Sequence, residues 1–423
     1  MRRLYTALLY LLSPLLVLRL WLRGAKNPGY RQRIGERFGL ISQQIPERCI
    51  WIHAVSVGES QATQPLVRWL KEQYPDTAIV ISTTTPTGAD RVRELYQQEV
   101  AHLYFPLDLP NAIERVLKRL QPRLLIIMET EIWPNLLNVC KRRALPVVLA
   151  NARLSAKSAK GYARAAAMTR EALRSFSAIA VQHAADAQRF IDLGAAEADV
   201  HLCGSIKFDV RIPASVREQG ALLKAACGAE RPVWIAASTH AGEEEMVLRV
   251  HRQLTELYAD ALLILTPRHP ERFDSVAAMI EKSALTWSRR SDIRVCKPDI
   301  SVFLGDTMGE LTVFYAAADI AFVGGSLAPV GGHNILEPAS LGLPVIVGPH
   351  MTNFLSITAL LKSNGALQQV DDENALLQAL EQIFDDADKR HAMGQAGIGV
   401  VEENQGALDC VSAVVSGLLH SKS

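Results

Sequence analysis

Trp51-Ile52-His53-Ala54-Val55-Ser56-Val57-Gly58-Glu59-Ser60 opens as an apolar, β-branched run, breaks at Gly58 and passes into a helical pattern of about a dozen residues. A strand that feeds a helix through a glycine turn is the first half of a βαβ unit, in which strands run parallel and ligands gather beyond their carboxyl ends. The strand itself is read as residues 49–55, and the same alternation recurs along the chain. Further strands are predicted near 78–84, 102–106, 123–129, 146–151, 177–182 and 200–204, then near 233–237, 261–266, 301–304, 320–324 and 344–347. The fold class predicted is α/β, with two doubly wound, Rossmann-like domains, and two such sheets facing each other would place a site in the cleft between them.

The interruption falls after Gly204-Ser205-Ile206-Lys207-Phe208-Asp209, where Pro213 and a helical run to about Ala226 precede the next strand. The boundaries drawn are an anchor at 1–24, a first domain at 25–209, a linker at 210–230 and a second domain with a helical tail at 231–423. A length of 423 residues suits two domains of ordinary size. Hydrophobic residues make up 49% and charged residues 21%, a globular balance. The 45 basic and 44 acidic side chains nearly cancel, which gives no sign of a nucleic-acid partner. Cys49, Cys140, Cys203, Cys227, Cys296 and Cys410 lack C-x-x-C spacing and read as buried thiols in a reducing compartment.

Leu4 to Leu22 forms the most hydrophobic stretch, close to the roughly 20 residues that a spanning helix needs, although Pro14 and Arg19 interrupt it. The stretch ends in Leu20-Trp21-Leu22-Arg23 without the small residues of a cleavage site, so an uncleaved anchor is expected. A basic collar follows, Arg19, Arg23, Lys26, Arg31, Arg33 and Arg37 against Glu36 alone. It favours the cytoplasmic side for the body and suits anionic head groups. Spanning and interfacial arrangements both fit the sequence.

Chemistry-bearing residues cluster at predicted strand ends. Glu59 stands in the first turn of its helix, as a plain dipole-stabilised carboxylate or as a general base; the dipole is expected to hold its pKa down and keep it ionised. Glu129 and Glu131, in Met128-Glu129-Thr130-Glu131-Ile132-Trp133-Pro134-Asn135, could hold a substrate or Lys207, or one could cap the next helix. Lys207 leaves the first domain where its ammonium could cross the cleft to a carboxylate or phosphate. In the second half, Thr266-Pro267-Arg268-His269-Pro270-Glu271-Arg272-Phe273 ends a strand with guanidinium groups shaped for phosphate. Gly305-Asp306-Thr307-Met308-Gly309-Glu310, Gly324-Gly325-Ser326 and Gly331-Gly332-His333-Asn334-Ile335-Leu336-Glu337-Pro338 are glycine turns into helices, with Glu337 suited to ribose hydroxyls. Asp386-Ala387-Asp388 lies in a polar helical stretch away from any strand end, where a metal role is not expected.

With these motifs on the page the chain resembles the Kdo transferases, which attach 3-deoxy-D-manno-octulosonic acid (Kdo) to lipid A precursors. The resemblance covers nearly the whole chain, through the anchor, Arg33-Ile34-Gly35-Glu36-Arg37-Phe38-Gly39, His53 to Ser60, Glu129 to Asn135, Lys207 to Asp209, Thr266 to Phe273 and Gly331 to Pro338. It implies a GT-B architecture and an inverting transfer of Kdo from CMP-Kdo to lipid IVA in lipopolysaccharide biosynthesis, without a cofactor or metal, at the cytoplasmic leaflet of the bacterial inner membrane. By the same matching Glu59 would be the general base, and Glu129 and Lys207 would stabilise the transition state. Pro267, Arg268, Met308, Gly309, Glu310, Asn334, Ile335, Leu336 and Glu337 would contact CMP. The same architecture also serves UDP-sugar transferases and a sugar-nucleotide epimerase, and a third reading is a noncatalytic, membrane-bound nucleotide-sugar binding protein; the fold alone does not separate these.

Overall fold

The computed structural model describes residues 1–25, 27–292 and 298–420. The chain divides into two units, Met1–Asp209 with Gln405–Ser423, and Val210–Asn404. The first holds strands β1 (Ile50–His53), β2 (Ile79–Thr83), β3 (Ala101–Tyr104), β4 (Leu124–Met128), β5 (Val147–Ala152), β6 (Ala178–Val181) and β7 (Val200–Leu202), all parallel, in the order β3-β2-β1-β4-β5-β6-β7. The second holds β8 (Val233–Thr239), β9 (Leu262–Pro267), β10 (Trp287–Arg289), β11 (Val302–Leu304), β12 (Ile320–Val323), β13 (Val345–Val347) and β14 (Leu367–Gln369), parallel in the order β10-β11-β9-β8-β12-β13-β14.

The central strands are apolar on both faces because helices cover both, so Leu124 to Met128 and Val233 to Ala237 are buried without alternation. That continuity made them legible in the sequence. The edge strands β10 and β14 were missed, since each has three residues and ends in half-buried Arg289 or Gln369. In both sheets the order reverses beside one strand. The crossovers diverge between β1 and β4 in the first and between β8 and β12 in the second, leaving a crevice at the carboxyl ends.

Several expectations are corrected. The helix after Gly58 is broken in two, Val57–Ala62 and Gln64–Gln73, with Pro65 opening the second segment. Most of the stretch read as a linker is the helix Ala214–Gly228, which belongs to the second unit. It packs so closely on Leu311–Ala316 that a Cβ at Gly220 would lie 2.3 Å from Ala316 Cβ. The last helix, Ala407–His420, belongs to the first unit, where Leu408, Val411, Val415 and Leu419 join its core. Asp209 secures that helix by accepting from Gly406 N and Leu408 N, both at 2.8 Å. Cys203 and Cys410 are disulfide-bonded rather than free, because this docking brings β7 and the last helix together. Cys49 and Cys140 are buried free thiols, as read. Lys26 and Cys296 lie outside the described residues.

Candidate functional site

In the first unit the loops after β1 and β4, neighbours at the reversal point, bring Glu59 together with Glu129 and Glu131. Ser56 caps the short helix, and its side chain, together with the Val55 amide, shapes the environment of Glu59. Glu59 Oε2 accepts from Val55 N at 2.8 Å and Oε1 from Ser56 Oγ at 3.1 Å. The sequence reading expected a depressed pKa. Burial instead pushes the Glu59 carboxyl up to about 7, against the pull of the Val55 amide, and Glu129 and Glu131 add their repulsion. The helix-dipole argument failed because this helix is only six residues long and desolvation outweighs its amides. Glu131 is raised as well, by burial first and by Glu129 in addition.

Glu129 is 5% exposed and sits at φ 59°, a left-handed conformation that a non-glycine residue adopts only when its surroundings hold it. Two cations do so. Arg153 Nη2 lies 2.8 Å from Oε2 and Lys207 Nζ lies 3.4 Å from Oε1. Lys207 therefore turns back onto its own unit instead of pointing away from it. Its 3₁₀ turn, Ile206–Phe208, is fastened by the buried side chains of Ile206 and Phe208, and by Ile206 N donating to Asn151 Oδ1 at 3.2 Å. Neither Glu129 nor Glu131 caps helix Pro134–Arg142. That task falls to Asp108, whose carboxylate accepts from Asn135 N at 3.0 Å and Leu136 N at 2.7 Å. His53 is buried beneath the loop, stacked 3.6 Å from Phe105, and burial holds its pKa down at about 3, so it is neutral. Arg153, Asn151 and Asp108 were not anticipated. Only a three-dimensional path joins them to the motif, although an Asn at the end of an apolar strand was a usable hint of left-handed backbone.

In the second unit the glycine-rich turn after β12 is organised by one side chain that sequence reasoning passed over. Glu243, 1% exposed at the start of helix Glu243–Leu257, accepts through Oε1 from the amides of Ser326, Leu327 and Ala328 at 3.0–3.1 Å. Its Oε2 accepts from Gly325 N at 2.7 Å and His240 N at 3.0 Å. Gly324 is required at this crossing, since a Cβ there would stand 2.8 Å from the Ser238 carbonyl. Above it His240 Nε2 and His333 Nε2 are 2.8 Å apart, so one ring donates to the other, and His269 meets His240 edge-on at 5.3 Å.

Pro267 ends β9, and Arg268 follows it with its amide on the Thr239 carbonyl at 3.0 Å. Arg272, proposed as a second phosphate ligand, is instead held by buried Glu244 at 3.1–3.2 Å. Met308 is 64% exposed, and Gly309 has open space around its α-carbon. The Glu310 carboxylate is engaged by Arg290 at 2.6 Å and by Thr307; the Arg290 bond holds its pKa down. Ile335 and Leu336 are buried, and Asn334 spans the turn, with Nδ2 on Glu337 Oε1 at 2.9 Å and Oδ1 on Leu336 N at 3.0 Å. Burial raises Glu337 against that hydrogen bond. The loops after β8, β9 and β12 thus meet through the histidines, while Glu310 is bound to its own neighbourhood. Asp386 caps helix Ala387–Asn404, its Oδ1 accepting from Lys389 N at 2.8 Å.

Residues 32–210 match the family model for 3-Deoxy-D-manno-octulosonic-acid transferase (kdotransferase), and residues 289–400 match that for Glycosyl transferases group 1. A 3-deoxy-D-manno-octulosonic acid transferase of Haemophilus influenzae is 42% identical over 407 residues, covering 96% of this chain and 95% of the relative. The chain belongs to the Kdo transferase family. A Bordetella pertussis member is 36% identical, with 96% of each chain covered. MurG of Acinetobacter baumannii aligns with a TM-score of 0.53 at 12% identity, over 88% of this chain and 100% of its own, a likeness of fold. The architecture is GT-B, and the family makes the chain a glycosyltransferase. Glu59, Glu129 and Lys207 all lie within the residues matched by the first model, and Asn334 to Glu337 within those matched by the second.

Proposed function

We propose that the chain transfers Kdo from CMP-Kdo to lipid IVA with inversion at the anomeric carbon, at the cytoplasmic leaflet of the bacterial inner membrane, in lipopolysaccharide biosynthesis. The observation that carries the reading is Glu59 at the reversal point of the first sheet, with its pKa brought to about 7. A base with that pKa is well matched to accepting a proton near neutrality. An acceptor hydroxyl oxygen attacks the anomeric carbon, its proton passes to Glu59, and the bond to the CMP phosphate oxygen breaks, that oxygen leaving with the electron pair. Lys207, held by Glu129, supplies positive charge to the developing negative charge.

In the second unit, Pro267, Arg268, Met308, Gly309, Glu310, Asn334, Ile335, Leu336 and Glu337 are assigned to CMP. Arg268 suits a monophosphate, whereas the amides of Gly325, Ser326, Leu327 and Ala328 are already engaged by Glu243. No metal is assigned a part, because a monophosphate leaving group carries less charge than a diphosphate. The test incubates purified protein with lipid IVA and CMP-Kdo generated in situ, with and without EDTA, and weighs the lipid product by mass spectrometry. A gain of one or more Kdo units that survives EDTA and vanishes in Glu59→Ala supports donor, acceptor and base together. Folded protein that adds no Kdo overturns the reading, and an undiminished Glu59→Ala variant removes Glu59 as the base.

A further inference from the structure

Helix Arg2–Arg23 is long and apolar enough to cross a membrane, yet it is tied to the first unit at both ends. In its first turns Arg2 pairs with Glu171 at 3.0 Å, Tyr5 Oη donates to Asp108 Oδ2 at 3.0 Å, and Thr6 Oγ1 donates to Asn135 Oδ1 at 2.8 Å. Near its other end Arg31 Nε donates to the Trp21 carbonyl at 3.0 Å, and the guanidinium lies over the Trp21 ring at 4.4 Å. The turn that carries Arg31 is itself seated on the unit, where a Cβ at Gly29 would come within 2.7 Å of Pro86 Cβ. Thr6 and Trp21 are separated by roughly 22 Å of helix. Both ends of that length rest on one body, so the helix lies along it.

The two faces agree with this placement. Tyr5, Leu9, Ser13, Leu16 and Leu20 are half-buried. On the opposite side Leu4, Leu8, Leu11, Leu15, Leu18 and Leu22 are 48–74% exposed. At the helical period these six leucines fall within an arc of about 80°. Arg3 and Arg19, both exposed, flank the arc. A spanning helix would set its two ends on opposite sides of a hydrocarbon core about 30 Å thick. Tyr5 and Thr6 would then be pulled from Asp108 and Asn135, which are buried in the first unit.

We propose that this helix is an in-plane anchor: its leucine stripe enters the acyl boundary of an anionic bilayer, its arginines stay among the head groups, and its other face remains docked on the first unit. The inference rests on the membrane-held acceptor proposed above and adds the geometry of access. Asn135, which receives Thr6, stands in the first turn of the helix that follows the loop of Glu131, so the bilayer surface would run beside the carboxylate site and the acceptor would reach it without leaving the leaflet.

The test places nitroxides at Leu4→Cys, Leu11→Cys and Leu18→Cys in the full chain bound to mixed phosphatidylethanolamine and phosphatidylglycerol vesicles. Depth is read by power saturation, and Arg3→Cys is probed with a membrane-impermeant maleimide added on the side of the body. Parent protein, whose Cys49 and Cys140 are buried, supplies the blank. Equal, shallow depths at the three sites with Arg3→Cys fully labelled are expected. Depth that peaks at Leu11 with Arg3→Cys protected overturns the proposal in favour of a span. Absence of vesicle binding, or self-association through the stripe in its place, overturns it too. Transfer measured on the same samples separates the two readings: a spanning pattern with transfer sinks the in-plane anchor alone, and an in-plane pattern without transfer sinks the proposed function alone.

Discussion

Glu59 and Glu243 occupy corresponding places in two copies of one topology, each opening the helix that follows the strand at the reversal point. Their surroundings oppose each other. Glu243 receives five backbone amides and acts as the keystone of the glycine turn. Glu59 receives one backbone amide and one hydroxyl, and it faces two other carboxylates. A carboxylate whose lone pairs are filled is structural material, whereas one left short of donors and close to like charge becomes a proton acceptor. The same position in the fold therefore fastens a glycine turn in one unit and leaves a carboxyl with a raised pKa in the other.

The largest effect expected from breaking this contrast is on turnover. Glu59→Ala should lower the transfer rate by roughly 100-fold to 10,000-fold, with CMP binding unchanged by calorimetry. Glu243→Ala should do the reverse. It strands five amides, destabilises the second unit by about 3 kcal/mol in chemical denaturation, and weakens CMP binding. Equal loss of CMP affinity in both variants would erase the distinction.

A smaller loss, about 10-fold to 100-fold, is expected from Lys207→Met. Because Lys207 and Glu129 act as a pair, Glu129→Gln combined with Lys207→Met should cost little more than either change alone in initial rates. Additive losses would show that the contact at 3.4 Å carries no coupling.

The pH dependence sharpens the comparison further. With Glu59 near pKa 7 in the free chain, the acid limb of kcat/KM should have its midpoint near pH 7 rather than near 4.5. Glu131→Gln removes one repelling charge and should move that midpoint down by about half a unit. Stability follows with the opposite sense to an ordinary salt-bridged acid. The folded chain holds the Glu59 proton more tightly than the unfolded chain does, so stability is lost as pH rises from 4.5 to about 7 and the loss is complete above that. Glu59→Gln escapes the loss, and its stability advantage over the parent should grow across that interval to about 3 kcal/mol. A constant difference between the two melting curves would contradict the raised pKa.

Much of the candidate site was legible because its residues follow apolar runs. Glu59, Glu129, Lys207, Arg268 and Glu337 could all be picked out from a strand followed by a turn. What escaped were partners that arrive from elsewhere in the chain. Arg153 completes Glu129, Glu244 removes Arg272 from the phosphate candidates, and Arg290 claims Glu310. Glu243 escaped for another reason: an acidic residue at a helix start looks ordinary until the loop that it binds, more than eighty residues away, folds over it.

The sequence by itself determined the order of the central strands, the parallel character of both sheets and the types of polar residue set at their carboxyl ends. Those properties follow from local period, from apolar runs and from residue type, and each is written within a window of a few turns. Tertiary structure alone decided the protonation of Glu59, the pairing of Cys203 with Cys410, the unit that receives the last helix and the direction of the first one. Each of these depends on what lies through space beside a group, since burial, charge and reach are set by neighbours that the chain supplies from far along its length.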